Sequence, residues 1–528
     1  TLRRLSSAGI AAFLLLAGTC PLLAQNPGVK DSIPNVGASW PTFNGDTSGR
    51  RFSSLAQINE DNVHNLKLAW AFQTHAVTVK STPLEVNGVL YFTVPDHAWA
   101  IDAKTGQQIW TWYRESQGDH LSSRGVAFYN NRVYFGTPDA HLFCLDARNG
   151  KVIWNVTVAD VKFGYYVSLA PLVIRGKIII GTSGDSDNVR HFIEALDWKT
   201  GKVIWRTWTT PNPGTPEART WPNAQAMIHG GGPAWMSGTY DPALNLMYWG
   251  TGNPHPVEAG VSRPGANLYT CSILALDPDN GKIAWYFQPS PHDTHDWDAV
   301  ETSVLFKGEF KGKPREMLAQ ASRNGYFFVL DRKTGKDLVT SPFVPTNFAK
   351  GVGANGSPIP DPAKEPQPDG TLVSSAEIGG TNFMSPSFDP ETGLFYVNAM
   401  EGYSFWYLAV GPNDVARDHQ GGGSVALFAT SSLRALDYRT GKIVWQRKSG
   451  RGYGWGGILT TAGHLLFTAD ASGNLLALDP SNGNVLWHTR PGGVRDYAAP
   501  MTYELDGTQY VVTGVDGVMY AWTLTGSL

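Results

Sequence analysis

The stretch HDTHDWDAVE, residues 292–301, sets Asp293, Asp296 and Asp298 within six positions of a chain that is only 16% charged. Carboxylates this close repel one another and cost stability unless a cation or a shared proton separates them. The chemistry that suits such a loop is metal binding or proton transfer. His292 and His295, on either side, are better suited to hydrogen bonding within the loop than to ligation.

A repeated unit must position that loop. The pattern Leu-Asp-x-x-Thr/Asn-Gly-Lys-x-x-Trp, with Asp eight residues before Trp, occurs at 101–110, 145–154, 196–205, 276–285, 436–445 and 478–487. A degenerate seventh, LDRKTGKDLV, ends in Val339 instead of Trp. An alternating strand precedes each unit, so the order is strand, turn, strand, Asp-x-x-x-Gly turn, strand. One such unit cannot bury its own faces, whereas units stacked in a ring can. With Trp70 as one more ring position, the pattern predicts an all-β, eight-bladed propeller with tryptophans wedged between blades. Residues 510–524 should pair with the N-terminal blade and close the ring. The segment 345–380, rich in Pro and Gly, is expected to form an ordered excursion or lid on one rim.

The 58 Gly, 34 Pro and 19 Trp of the 528 residues also argue against a helical protein. A net charge of -3 and a pI near 6.5 give no basic stripe for nucleic acid. The first residues pair Arg3 and Arg4 with an apolar run ending near Ala24, the pattern of a signal peptide. We therefore expect 1–24 as signal, 25–38 as a linker, and 39–528 as a single propeller domain exported to the periplasm. Thr19 before Cys20 fits lipidation poorly, and no other stretch has the length of a membrane span. Cys144 and Cys271 are expected as buried free thiols in strands.

The tryptophan repeats, the opening WPTFNGDTSGRRFSSLAQINEDNVHNLKLAW, and the pair GTGNP (250–254) with HDTHDWD resemble the quinoprotein alcohol dehydrogenases over nearly the whole mature chain. The resemblance implies pyrroloquinoline quinone (PQQ) and Ca2+ or a lanthanide ion as cofactors, and a small-molecule alcohol as substrate. It implies Asp296 as base, aided by Arg323, and Asn253, Asp296 and Asp298 as metal ligands. Trp235 would be the floor under the quinone, with Arg124, Arg323, Ser168, Ser183, Gly184, Asn382 and Trp455 around it. Such a set suits a flat tricarboxylate, which needs an aromatic face, cations and a Lewis acid. Asp298, two positions after the base, resembles the lanthanide-using branch.

Other positions depart from the family pattern. The further metal carboxylate falls on Ser186, so Asp185 or Asp187 would have to substitute. The vicinal cysteines that cap the quinone fall on Gly118 and Asp119, a quinone-binding Glu on Lys80, and a Thr on Pro233. With no C-x-x-C-H haem motif, electrons would pass to a separate acceptor such as a cytochrome c. A homodimer stays open, as do two other functions: a sugar or polyol dehydrogenase on the same cofactor, and a non-catalytic propeller scaffold.

Overall fold

The computed structural model describes residues 36–118, 122–184, 189–409, 421–452, 454, 456–492 and 498–526. The signal peptide and most of the expected linker lie outside these residues, as do Asp119, Asp185, Ser186, Asp187 and Trp455. Contacts with the body of the protein extend back to Val36, three residues before residue 39. Val36 is buried and its carbonyl accepts from Ser54, and the Ala38 carbonyl accepts from Glu504.

Among the described residues the strands form eight sheets of four or five strands, plus one two-stranded ribbon. Among the same residues, helix is limited to Ala224–Ile228 and short 3-10 turns. Six sheets are built from strands consecutive in sequence, an arrangement that the repeat's short turns dictate. One sheet joins the chain's two ends: Lys67–Gln73 pairs antiparallel with Val518–Thr523, which continues into Thr508–Val515 and Met501–Leu505. In 345–380, Ala349–Val352 pairs with Pro358–Pro360, and Thr371–Val373 adds to the edge of Leu394–Leu408.

Five of the tryptophans dock on the next repeat unit by one rule. The indole N–H of Trp70, Trp110, Trp154, Trp205 and Trp445 donates to the carbonyl just after the next unit's Asp: Ala103, Ala147, Trp198, Pro278 and Pro480. The same rings cover the glycine four residues after that Asp. A Cβ added at Gly281 would stand 2.5 Å from the Trp205 ring. These glycines also have φ near +70°, so the repeat needs Gly for both space and conformation. At the degenerate unit, Ser341 and Val339 together take the indole's place against Gly441.

The segment after Trp40 ties four sheets together. The N–H groups of Tyr240, Leu305, Phe388 and Thr460, which lie in strands of four different sheets, donate to the carbonyls of Thr47, Ser48, Arg50 and Arg51. Arg51 is fully buried and donates to the carbonyls of Phe43, Ile458 and Pro500. Cys144 lies in a strand as expected, but Cys271 precedes strand Ile273–Leu276 at φ +44°; both are buried free thiols.

Candidate active site

Two loops from neighbouring sheets dock on each other so closely that side chains are excluded. A Cβ at Gly250 would stand 2.2 Å from the Ala299 carbonyl, and one at Gly252 would stand 2.6 Å from Asp298 Oδ1. The Ala299 N–H donates to the Thr251 carbonyl at 3.0 Å, and the Asn253 N–H to Asp298 Oδ1 at 2.6 Å. GTGNP therefore carries its glycines to let its backbone reach the carboxylate loop. Asp296 sits there at φ +57°, a conformation a non-glycine residue holds only when its surroundings enforce it.

Arg323 follows the strand Lys313–Ala321 and bridges the carboxylates. Its Nη2 is 3.1 Å from Asp296 Oδ2 and its Nη1 3.4 Å from Asp298 Oδ2. Trp235 Nε1 donates to Asp298 Oδ2 at 2.5 Å, which ties an aromatic face to the same carboxylate. The Asn253 amide faces the remaining oxygens, 3.2 Å from Asp296 Oδ1 and 3.0 Å from Asp298 Oδ1. With its nitrogen turned inward, the amide donates to both. With its oxygen inward, three oxygens confront one another, an arrangement that only a cation stabilises. Among the described residues no three His, Cys, Asp or Glu side chains gather as a cage, so this mixed amide and carboxylate set is the cation candidate.

Burial sets the titration of the cluster. It raises the Asp298 carboxyl against the pull of Arg323, Trp235 and the Asn253 N–H. Burial alone would lower Arg323, but Asp296, Asp298 and Glu301 outweigh it and hold the guanidinium above the usual arginine value. Asp293 is pushed up to about 6 by burial, and its Oδ2 accepts from the Trp297 N–H at 3.1 Å. It shapes the loop. The histidines are engaged by backbone, His292 Nδ1 with Gly265 O at 2.8 Å and His295 Nε2 with Lys364 O at 2.9 Å.

A second wall carries cations and hydroxyls. Arg124 Cζ lies 4.6 Å from the Trp235 ring centroid and 5.5 Å from that of Phe383, and Lys80 Nζ is 5.3 Å from Phe383. Arg124 Nη1 donates to Ser168 Oγ at 2.9 Å, and Ser183 Oγ is 3.3 Å beyond. Gly184 has φ +151°, and a Cβ there would stand 3.0 Å from the Gly164 carbonyl. Asn382 is turned to its own loop, donating to Ile378 O and accepting from the Phe383 N–H.

Known proteins resemble this chain in sequence and fold. A family model described as glucose/ethanol/alcohol dehydrogenase, beta-propeller domain, matches residues 40–352, and one for the outer membrane protein assembly factor BamB matches 429–528. The quinoprotein alcohol dehydrogenase PedH of Pseudomonas putida is 35% identical, over 97% of this chain and 92% of its own length. The structure of the Comamonas testosteroni quinohemoprotein alcohol dehydrogenase superposes with a TM-score of 0.87 at 33% identity, covering 93% of this chain and 81% of that one. A europium-containing methanol dehydrogenase gives 0.83 at 28% identity, covering 92% and 98%. The chain belongs to the quinoprotein alcohol dehydrogenases.

For a quinoprotein alcohol dehydrogenase the residues fit PQQ. Trp235 supplies a half-buried aromatic face, Arg124 and Lys80 supply cations, and Ser168 and Ser183 supply hydroxyls on the same wall. The departures are local. A Cβ at Gly118 would stand 2.1 Å from the Pro138 carbonyl, so no cysteine fits there without moving the backbone. Pro233 contributes its carbonyl, which accepts the Gly252 N–H at 2.6 Å. Sequence reasoning missed Phe383 and Glu301. Phe383 adjoins Asn382, and Glu301 closes the very stretch that raised the question.

Proposed function

We propose that this chain is a periplasmic PQQ dehydrogenase that oxidises an alcohol to an aldehyde or ketone with a metal ion, and hands the electrons to a separate acceptor such as a cytochrome c. The carrying observation is that Asp296, Asp298 and the Asn253 amide face one another beside Arg323, with Trp235 bound to Asp298. A scaffold has no use for buried charge arranged this way. Residues 39–528, with 36–38 added, are read as one propeller of eight blades, the docked tryptophans acting as pegs between neighbours.

When bound, PQQ accepts the two electrons of the oxidation, and Ca2+ or a lanthanide polarises its reactive carbonyl. The remaining work falls to this chain. Asp296 takes the proton of the alcohol O–H on a carboxylate oxygen, as a general base at hydrogen-bond reach. Arg323 offers a fixed cation beside it. Trp235 presents a flat face whose tilt is set by its bond to Asp298, while Arg124, Lys80, Ser168 and Ser183 hold carboxylate groups. Asn253, Asp296 and Asp298 are the cation's protein oxygens, with Asp185 as a further candidate; Gly184, Asn382 and Trp455 are read as rim contacts.

The test is reconstitution with PQQ and either Ca2+ or a lanthanide, followed by a dye-linked assay across an alcohol panel. Turnover of primary or secondary alcohols is expected with at least one ion. Turnover only with sugars or polyols would shift the substrate class, and no PQQ binding at all would leave the scaffold reading standing.

A further inference from the structure

Glu301 and Arg323 hold complementary unmet needs. Glu301 is 4% exposed, and neither of its carboxylate oxygens makes a well-formed hydrogen bond, although the backbone N–H groups of Glu301 and Arg323 lie near enough to favour its charged form. Arg323 Nε is also buried and unpartnered, while its Nη atoms serve Asp296, Asp298 and the Glu377 carbonyl. The two groups are near enough for each to act on the other's charge. The Glu301 backbone is fixed, because Gln320 Nε2 donates to the carbonyls of both Ala299 and Glu301, at 3.1 and 2.7 Å. Gly379 packs against Arg323 on another side, where a Cβ would come within 2.7 Å of Arg323 Cβ. The arginine's stem therefore has little freedom, and its head has two sets of acids to choose between.

A cation bound by Asp296, Asp298 and Asn253 competes with Arg323 for the same carboxylates. A guanidinium that loses them must find another anion, since an unpaired buried charge is strongly destabilising. We propose that Glu301 is a positioning residue: it receives the Arg323 guanidinium when a cation takes Asp296 and Asp298, and so keeps Arg323 beside the reacting groups. This rests on the reading of those two carboxylates as cation ligands. It assigns Glu301 no contact with substrate, cofactor or metal.

The experiment is cation titration of the full chain, stripped by chelation, with Tb3+ and with Ca2+, followed by calorimetry. Glu301→Gln should lower the affinity for either ion by about tenfold or more. The thermal midpoint without cation should stay the same or rise, because the substitution removes an unmet buried carboxyl. Glu301→Ala should behave alike, which guards against a peculiarity of the glutamine. In an Arg323→Met background the Glu301→Gln effect should disappear, because its route is the guanidinium.

Unchanged affinity in both Glu301 variants overturns the proposal while leaving the metal site intact. So does an equal loss in the Arg323→Met background, which would mean that Glu301 acts on the cation directly through its charge. A fall in the cation-free midpoint that accounts for the lost affinity assigns Glu301 a merely structural role. A parent that binds neither ion overturns the metal reading itself, and this inference with it.

Discussion

The joints between repeat units and the cluster around Asp298 are both made of buried polar groups, yet they treat those groups oppositely. In the joints, an indole N–H meets a carbonyl, a tyrosine hydroxyl commonly joins it, and a glycine makes room. Ala147 O, for example, accepts from both Trp110 and Tyr91. At the cluster, acids crowd one arginine, Asp293 Oδ1 and the Glu301 oxygens make no well-formed hydrogen bond, and Asp296 holds a left-handed backbone. Buried polar atoms are nearly always satisfied in native proteins, and the exceptions mark strain, catalysis or an absent ion. The frame is built for stability and the cluster for something that arrives.

The largest expected break in this contrast is Asp296→Ala. It should lower alcohol oxidation by roughly a thousandfold or more with either Ca2+ or a lanthanide, as expected for loss of a general base that is also a ligand. Stability should fall by about 1 kcal/mol, because alanine tolerates the left-handed backbone less well than aspartate and Arg323 loses one partner. Activity within about tenfold of the parent, measured by dye-linked assay, would remove Asp296 from the chemistry.

Next comes the frame. Trp205→Ala should cost about 3 kcal/mol or more of stability through the cavity left at the joint. Trp285 covers Gly335 in the same way, but its N–H has no partner, and the corresponding Arg332 carbonyl accepts from Tyr248. Trp285→Ala should therefore cost about 1 kcal/mol less. Equal losses in denaturant titrations would show that the indole bond adds nothing to the joint.

A finer cut lies within the cluster. Asp298→Ala should lower lanthanide-supported turnover by about a hundredfold and calcium-supported turnover far less, since a trivalent ion gains more from each anionic oxygen. The same substitution frees the Trp235 indole, so PQQ affinity measured by fluorescence should also weaken. A variant with parental lanthanide activity would make Asp298 a support for the tryptophan and nothing more.

The frame was legible because its rule is local: Asp, Gly and Trp recur at fixed spacing, and each fills the same role each time. In the candidate site, the crowding of Asp293, Asp296 and Asp298 drew attention by spacing alone, whereas Asn253, Trp235, Arg124 and Arg323 entered only through the resemblance. Periodicity carries no signal for Gly252, whose missing side chain lets GTGNP touch Asp298, nor for the segment 47–51 that ties four sheets. Glu301 was invisible for a related reason. Whether a carboxylate is solvated or buried without a well-formed hydrogen bond depends on what the fold brings over it, and nothing in DAVE announces that.

Asp293 gives the mildest test, because its cost is already part of the folded state. Burial, with a smaller push from Asp298, outweighs Arg263 and the Trp297 N–H and raises its carboxyl from the ordinary value of 3.8 to about 6. In the cation-free protein between those two pH values, the folded state holds a proton on Asp293 that the unfolded chain has released. Stability therefore falls as pH rises through that window and levels off above it, with a limiting slope of about 1.4 kcal/mol per pH unit from this one group. Asp293→Asn keeps a carbonyl for the Trp297 N–H but cannot ionise, so its stability relative to the parent should improve steadily from pH 4 to pH 6 and then stay level. Urea titrations of the two proteins across that range provide the check. Parallel curves would mean that Asp293 is ionised in the folded protein throughout, and that the crowding in HDTHDWDAVE is relieved by Arg263 rather than by a retained proton.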